Sequence, residues 1–198
     1  MKQEQLVDND LIKRVLEGDS NAFKLIISKT QGLVIQIIYK MVNNREDRED
    51  LAQEVYFKVY NKLSSFRFNS KLSTWIGAIT YNTCINHLKK KRIPILDIET
   101  EDEKDIWEII SMDNLNSESN LTEGYVLNKE RSQILKLEVE KLPPLYKTIV
   151  TLFHVEELSY KEISKITNLP EGTLKNYLFR ARKKLRDNLL LNYKKDDL

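Results

Sequence analysis

Apolar residues in this chain recur every three or four positions and almost never every second one. From Asp47 onward Leu51, Val55, Val59 and Leu63 fall four apart, one face of a helix of about four turns. The same period continues on both sides. Leu11, Ile12, Val15 and Leu16 form a stripe behind Asp8 and Asp10, and Gly18 supplies a stop. Asp19 or Ser20 is placed to cap a following helix that carries Ala22, Phe23, Ile26 and Ile27, then Leu33, Val34, Ile37, Ile38 and Met41, until Asn43-Asn44 breaks it. Residues 64–70 have loop composition. Ser70 or Ser73 then opens a helix to about Arg92, with Trp75, Ile79 and Ile85 as buried candidates. The pattern predicts an all-α fold.

Ile93-Pro94 ends this first unit, because proline drives the residue before it out of the helical region. The first domain is therefore expected over residues 5–92. Residues 93–121 are rich in Asp, Glu, Asn and Ser and read as an acidic linker, with Ile106, Trp107, Ile109 and Ile110 as its apolar exception. A second small helical domain is expected over 122–192. Its first helix, about 122–141, offers Val126, Ile134 and Leu137 for burial. Pro143-Pro144 opens the next, which carries Ile149, Leu152 and Phe153. Ser159-Tyr-Lys-Glu162 has capping-box spacing, and the short helix behind it buries Ile163 and Ile166. Turn residues at Asn168–Thr173 lead into a basic helix from about Pro170 to Leu191.

Charge follows the same division. The whole chain has a formal net charge of only +2. Residues 66–92 nevertheless hold six bases and no acid, and 161–195 hold ten bases against three acids. Residues 93–124 between them hold ten acids against the single base Lys104. Two basic blocks at helical period, each interleaved with aromatics, point to phosphate-bearing partners.

A capped helix, a glycine-containing turn and a basic helix make a helix-turn-helix. Leu174, Leu178, Ala181 and Leu185 form the buried stripe of the second helix. Thr173, Lys175, Asn176, Phe179, Arg180, Arg182 and Lys183 are left to its other faces. Asn can pair with adenine and Arg or Lys with guanine in the major groove. Catalytic signals are missing: there is no Gly-rich phosphate loop and no Ser/His/Asp signature, and His87 and His154 lie far apart. Neither a metal site nor a cofactor is expected, and the chain is not expected to be an enzyme. One cysteine, Cys84, suits a reducing cytoplasm, and no apolar run is long enough to insert in a membrane.

The segment 142–185, above all Glu171-Gly-Thr-Leu-Lys-Asn-Tyr-Leu-Phe-Arg-Ala-Arg182, resembles region 4 of sigma-70 family transcription factors. Asp50-Leu-Ala-Gln53-Glu54-Val-Tyr-Phe57 resembles region 2.2, and Phe66-Arg-Phe-Asn69-Ser70-Lys71 through Asn86-His87 resembles regions 2.3 and 2.4. Two domains and an acidic linker, with neither the long region 1.1 nor a separate region 3, match the extracytoplasmic-function (ECF) subgroup. The resemblance implies that Asp50, Gln53, Glu54 and Phe57 dock on the β′ clamp helices of core RNA polymerase. By the same resemblance Arg67, Asn69, Ser70, Lys71, Asn82, Asn86, His87 and Lys90 meet the promoter −10 element. The −35 element falls to the second basic helix, at Thr173, Lys175, Asn176, Phe179, Arg180, Arg182 and Lys183. Region 4 is also expected to meet the β flap, and an anti-sigma factor is expected as a regulator. A gapless match puts Ala78 and Ile79 where housekeeping members carry a tandem Trp wedge, so Trp75 is expected in the core. Two rivals predict other behaviour. A regulator using only the helix-turn-helix would have no affinity for core polymerase, and an adaptor would bind a protein partner without reading DNA.

Overall fold

The computed structural model describes residues 2–95 and 125–193, and every regular element in them is helical. The first half runs α1 (Lys2–Leu16), α2 (Ser20–Met41), α3 (Arg45–Lys62), a short 3-10 turn (Leu63–Ser65) and α4 (Leu72–Lys90). The second runs α5 (Tyr125–Glu140), α6 (Pro144–His154), α7 (Tyr160–Thr167) and α8 (Glu171–Asn192).

Local chemistry fixes most of the helix boundaries. Gly18 turns the chain at φ +98°, which costs glycine nothing. Asp19 caps α2 by accepting from the amides of Asn21 and Ala22, and the Arg14 guanidinium at 2.8 Å holds its carboxyl below the usual range. Asn44 caps α3 through the amide of Asp47. The expected cap of α4 is different: neither Ser70 nor Ser73 serves. Lys71 is the N-cap residue and makes no side-chain capping bond. Pro144 is at the first turn of α6, where its missing N–H leaves nothing unpaired. In α7 the Ser159–Glu162 capping box is complete in both directions.

The long helix α2 is the axis of the first bundle, burying Ile26, Val34, Ile37 and Ile38 against α1, α3 and α4. Fully burying such a side chain contributes roughly 1.5–3 kcal/mol. Thr30 and Thr80 are also buried, and each hydroxyl donates to the carbonyl four residues back at 2.8 Å. In the second bundle α6 is central, with Ile149 and Leu152 buried, and α8 contributes Leu174, Leu178, Ala181 and Leu185. Lys147 is buried on α6 and compensated by the Glu140 carboxylate (3.2 Å) and carbonyl (3.1 Å). The two bundles also pack on each other, α2 against α6 and α4 against α7, so one apolar core runs through both.

Two expected core residues lie outside: Leu16 and Leu137 are exposed at the edges of their stripes. Trp75, Ile79 and Ile85 are partly buried against the core. Nearly all of the expected linker, and Val126's side chain, lie outside the described residues.

Candidate nucleic-acid interface

Helix α3 is two-faced. Leu51, Val55 and Val59 are buried, while Asp50, Gln53, Glu54 and Phe57 are exposed on the opposite side, Phe57 at 69%. Lys58 pairs with Glu54 at 2.6 Å and leaves the strip acidic. Tyr60, one turn beyond Phe57, is 52% exposed and stacks edge-on against Phe23 at 5.2 Å. It extends the strip, and its i+3 spacing from Phe57 is the signal that could have found it.

The loop before α4 is anchored by Phe66, buried against the Trp75 ring (5.2 Å) and the Phe68 ring (4.8 Å). Trp75 therefore belongs to the core side of the loop, as expected. Phe68 takes a left-handed backbone, φ 57°, which turns the chain so that Arg67 and Asn69 face outward. From the loop, α4 carries Asn82, Asn86 and Lys90 along one exposed stripe at four-residue steps. Asn82 holds its amide on the carbonyl of Ala78 at 2.9 Å.

His87 leaves this stripe. Its Nε2 is buried and makes no hydrogen bond, lying 3.4 Å from the Asp47 carboxylate at the start of α3. Lys91 donates to the same carboxylate at 2.5 Å, and that hydrogen bond holds Asp47 below the usual carboxylate range. Lys71 and Asn69 are engaged as well. The Lys71 ammonium is 2.9 Å from Glu162 of α7, and Lys165 of α7 donates to the Asn69 carbonyl at 2.5 Å. Phe68–Lys71 and Thr74 on one side, with Ser159, Lys161, Glu162 and Lys165 on the other, line a cavity of about 360 Å³. The α7 residues were legible in the sequence only as capping and helix positions; the bases at Lys161 and Lys165 on its polar face were the remaining signal.

On α8, Thr173, Asn176, Arg180 and Lys183 succeed one another at three- and four-residue steps and share one face. Lys175, Phe179 and Arg182 occupy the neighbouring face, toward α6 and α7. Lys175 reaches over the Tyr160 ring at 5.6 Å, and Arg182 lies 3.3 Å from His154 Nε2. Burial, and then the Arg182 charge, push His154 below the ordinary histidine value. The expected set on this helix is thus two adjacent stripes.

Among the described residues no three His, Cys, Asp or Glu side chains gather as a metal site, and no helix is long and apolar enough to cross a membrane. Cys84 is buried, and burial pushes its thiol up to about 12, which leaves it inert at neutral pH.

A family model described as sigma-70 region 2 matches residues 26–93, and one described as sigma-70, region 4 matches residues 132–185. The chain is 34% identical to the ECF RNA polymerase sigma factor SigW of Bacillus subtilis (strain 168), over 90% of this chain and 94% of that one. It is 33% identical to the ECF RNA polymerase sigma-E factor of Escherichia coli (strain K12), over 90% and 92%. In fold it is similar to CnrH, solved in complex with the cytosolic domain of CnrY, with a TM-score of 0.61 at 14% identity, covering 94% of this chain and 99% of that one. It is also similar to the sigma factor RpoE solved with the anti-sigma factor NepR from Bartonella quintana, with a TM-score of 0.55 at 20% identity, covering 86% and 98%.

Proposed function

This chain belongs to the sigma-70 family of RNA polymerase sigma factors, in its ECF group, and from that premise we propose a division of labour among its surfaces. As an ECF sigma factor it binds core RNA polymerase and directs promoter-specific initiation. The exposed strip Asp50, Gln53, Glu54 and Phe57, lengthened by Tyr60, docks on core polymerase at the β′ clamp helices. Arg67, Asn69, Ser70 and Lys71, with Asn82, Asn86 and Lys90 on α4, receive the −10 element. The polar loop takes unstacked bases and the lysine follows the phosphates. His87 acts from behind this surface, through Asp47. On α8 the stripe Thr173, Asn176, Arg180 and Lys183 enters the −35 major groove, with Lys175, Phe179 and Arg182 on its flank. The domain limits 5–92 and 122–192 serve these two readings, with the acidic segment 93–121 joining them.

The observation that carries the docking assignment is the build of α3. A phenylalanine 69% exposed among carboxylates, on a helix whose other face is fully buried, is a partner surface held rigid from behind. Phosphodiester chemistry then belongs to the polymerase, and the chain works in the cytoplasm beside it. An anti-sigma factor is the regulator this reading calls for, covering the polymerase- and DNA-binding faces.

Run-off transcription with core polymerase tests the assignment. Asn176→Ala with Arg180→Ala is expected to weaken −35 dependence and leave core binding intact, and Asp50→Ala with Glu54→Ala to do the reverse. Loss of core binding in the first pair sinks the division.

A further inference from the structure

We propose that a cavity walled by α2, α5, α6 and α8 binds a straight-chain fatty acid, its tail on an apolar floor and its carboxylate among the bases of the walls. The cavity measures about 710 Å³, inside the roughly 300–1,000 Å³ range of small-molecule sites. Val150 and Leu185, both buried, form its floor with the partly buried Val139. Two further apolar side chains of the lining are left to solvent, Leu135 at 47% and Val155 at 62%. Large apolar side chains exposed around one hollow mark a surface completed by an apolar partner. A helix as that partner is too thick. At about 10 Å across it occupies about 420 Å³ per turn, so the cavity holds fewer than two turns of one. A single slender chain suits the space better.

Charge selects the head of that chain. Among the described residues that line the cavity there are three bases, Lys40, Lys136 and Arg182, against one acid, Glu140. Glu140 is already held inside the wall, by Lys40 and by the buried Lys147 at 3.2 Å. Lys136 lies one turn before it on α5. His154 shares the cavity with Arg182, which approaches its Nε2 to 3.3 Å. Burial and that guanidinium hold the imidazole below its ordinary value, so at pH 7 it is neutral and the bases set the sign of the wall. A cationic amphiphile is repelled here, and an uncharged one gains nothing from the bases. A compact anion would satisfy them but leave Leu135 and Val155 in water. A carboxylate on an apolar tail answers both, through charge-assisted hydrogen bonds at one end and burial along the other.

The test is isothermal titration of the full chain with decanoate and dodecanoate, each kept below its micelle concentration. One saturable site is expected. It should tighten about fourfold per buried methylene, hence about fifteen-fold from the shorter acid to the longer. Dodecanol and dodecyltrimethylammonium should each bind at least about fivefold more weakly than dodecanoate, the worth of one lost charge contact of about 1 kcal/mol. Lys136→Gln should weaken dodecanoate by a similar factor, and Leu135→Gln by about tenfold through lost apolar contact. Both side chains are exposed and Gln is a good helix former, so α5 is kept. The chain's two histidines locate the ligand by NMR: dodecanoate should move the ring signals of His154 and leave those of His87 in place. No saturable binding overturns the site, as does movement of both imidazoles alike. Dodecanol binding as tightly as dodecanoate overturns the role of the bases. Affinity unchanged in both variants overturns the assignment to this cavity.

Discussion

Lys71 and Glu162 give a direct measure of how firmly the two bundles are tied. The pair is 2.9 Å apart, with side chains 41% and 20% exposed, so it is partly shielded from solvent. Two unit charges at that distance attract by about 1.4 kcal/mol in water and several-fold more at an effective dielectric of 20, before desolvation and side-chain entropy are subtracted. Half-exposed pairs end near 0.5–1 kcal/mol. Glu162 also accepts from the Ser159 amide at 3.0 Å and hydroxyl at 2.7 Å, and that cap is worth about 1 kcal/mol more. Glu162→Ala should therefore cost about 1.5–2 kcal/mol and Glu162→Gln less than 1, since Gln keeps the cap. A double-mutant cycle of Glu162→Gln with Lys71→Met, read from urea midpoints, should return a coupling of about 0.5–1 kcal/mol at pH 7.

The sign of its pH dependence follows from the carboxyl. Burial works to raise Glu162, but Lys71 and Ser159 outweigh it and hold the folded value below the ordinary glutamate value. The coupling is thus full above that ordinary value and fades as the pH falls through the depressed folded one. A coupling near zero at pH 7, or one that persists after the carboxyl is protonated, refutes the reasoning.

Ile166→Ala removes a fully buried side chain from the contact between α4 and α7 and should cost about 2–4 kcal/mol. The shared core predicts one thermal transition that this substitution displaces as a whole; two independent transitions, only one of them moved, would argue that the bundles do not share their core. Cys84 should resist iodoacetamide in the folded chain and react fully in urea, as a thiol pushed up to about 12 by burial requires. Rapid native labelling would show that α4 opens far more often than its packing allows. Deleting residues 97–118 removes nine acids and one base, and should strengthen DNA binding by the free chain and steepen its salt dependence. Gel shifts at several salt concentrations decide this, and unchanged affinity means the acidic segment does not compete with phosphates.

What was legible in the sequence is what short-range periodicity can encode. The four-residue steps Leu51, Val55 and Val59, the stripe Leu174, Leu178, Ala181 and Leu185, and the Ser159–Glu162 box all depend on residues within a turn or two of one another. The exposed strip on α3 followed from the same arithmetic, being the complement of a buried face. What the sequence hid is non-local. Leu16 and Leu137 fit their stripes by period, but among the described residues no neighbouring helix covers those edges. Lys147 reads as a surface lysine until Glu140 is brought against it. His87 has the spacing of the α4 stripe, yet Asp47, forty residues earlier, draws it away. Gly77 carried no sequence signal at all, because what a side chain there would meet is Ile166, on the other domain.

The near-neutral net charge acquires a mechanism from these pairings. A chain whose basic surfaces stood free would gain affinity for any polyanion simply by releasing counterions. Here several of the bases near those surfaces already face partners within the molecule: Lys71 faces Glu162, Lys91 faces Asp47, and Arg182 lies against His154. For the two lysines, meeting a phosphate is an exchange of one anion for another. The first carboxylate must give way, Glu162 for Lys71 and Asp47 for Lys91. Such an exchange contributes little for a random duplex, which offers phosphates and nothing further in return. The +2 of the whole chain is in this sense a specificity device, because internal pairing of the bases lowers the affinity for DNA that offers phosphates alone.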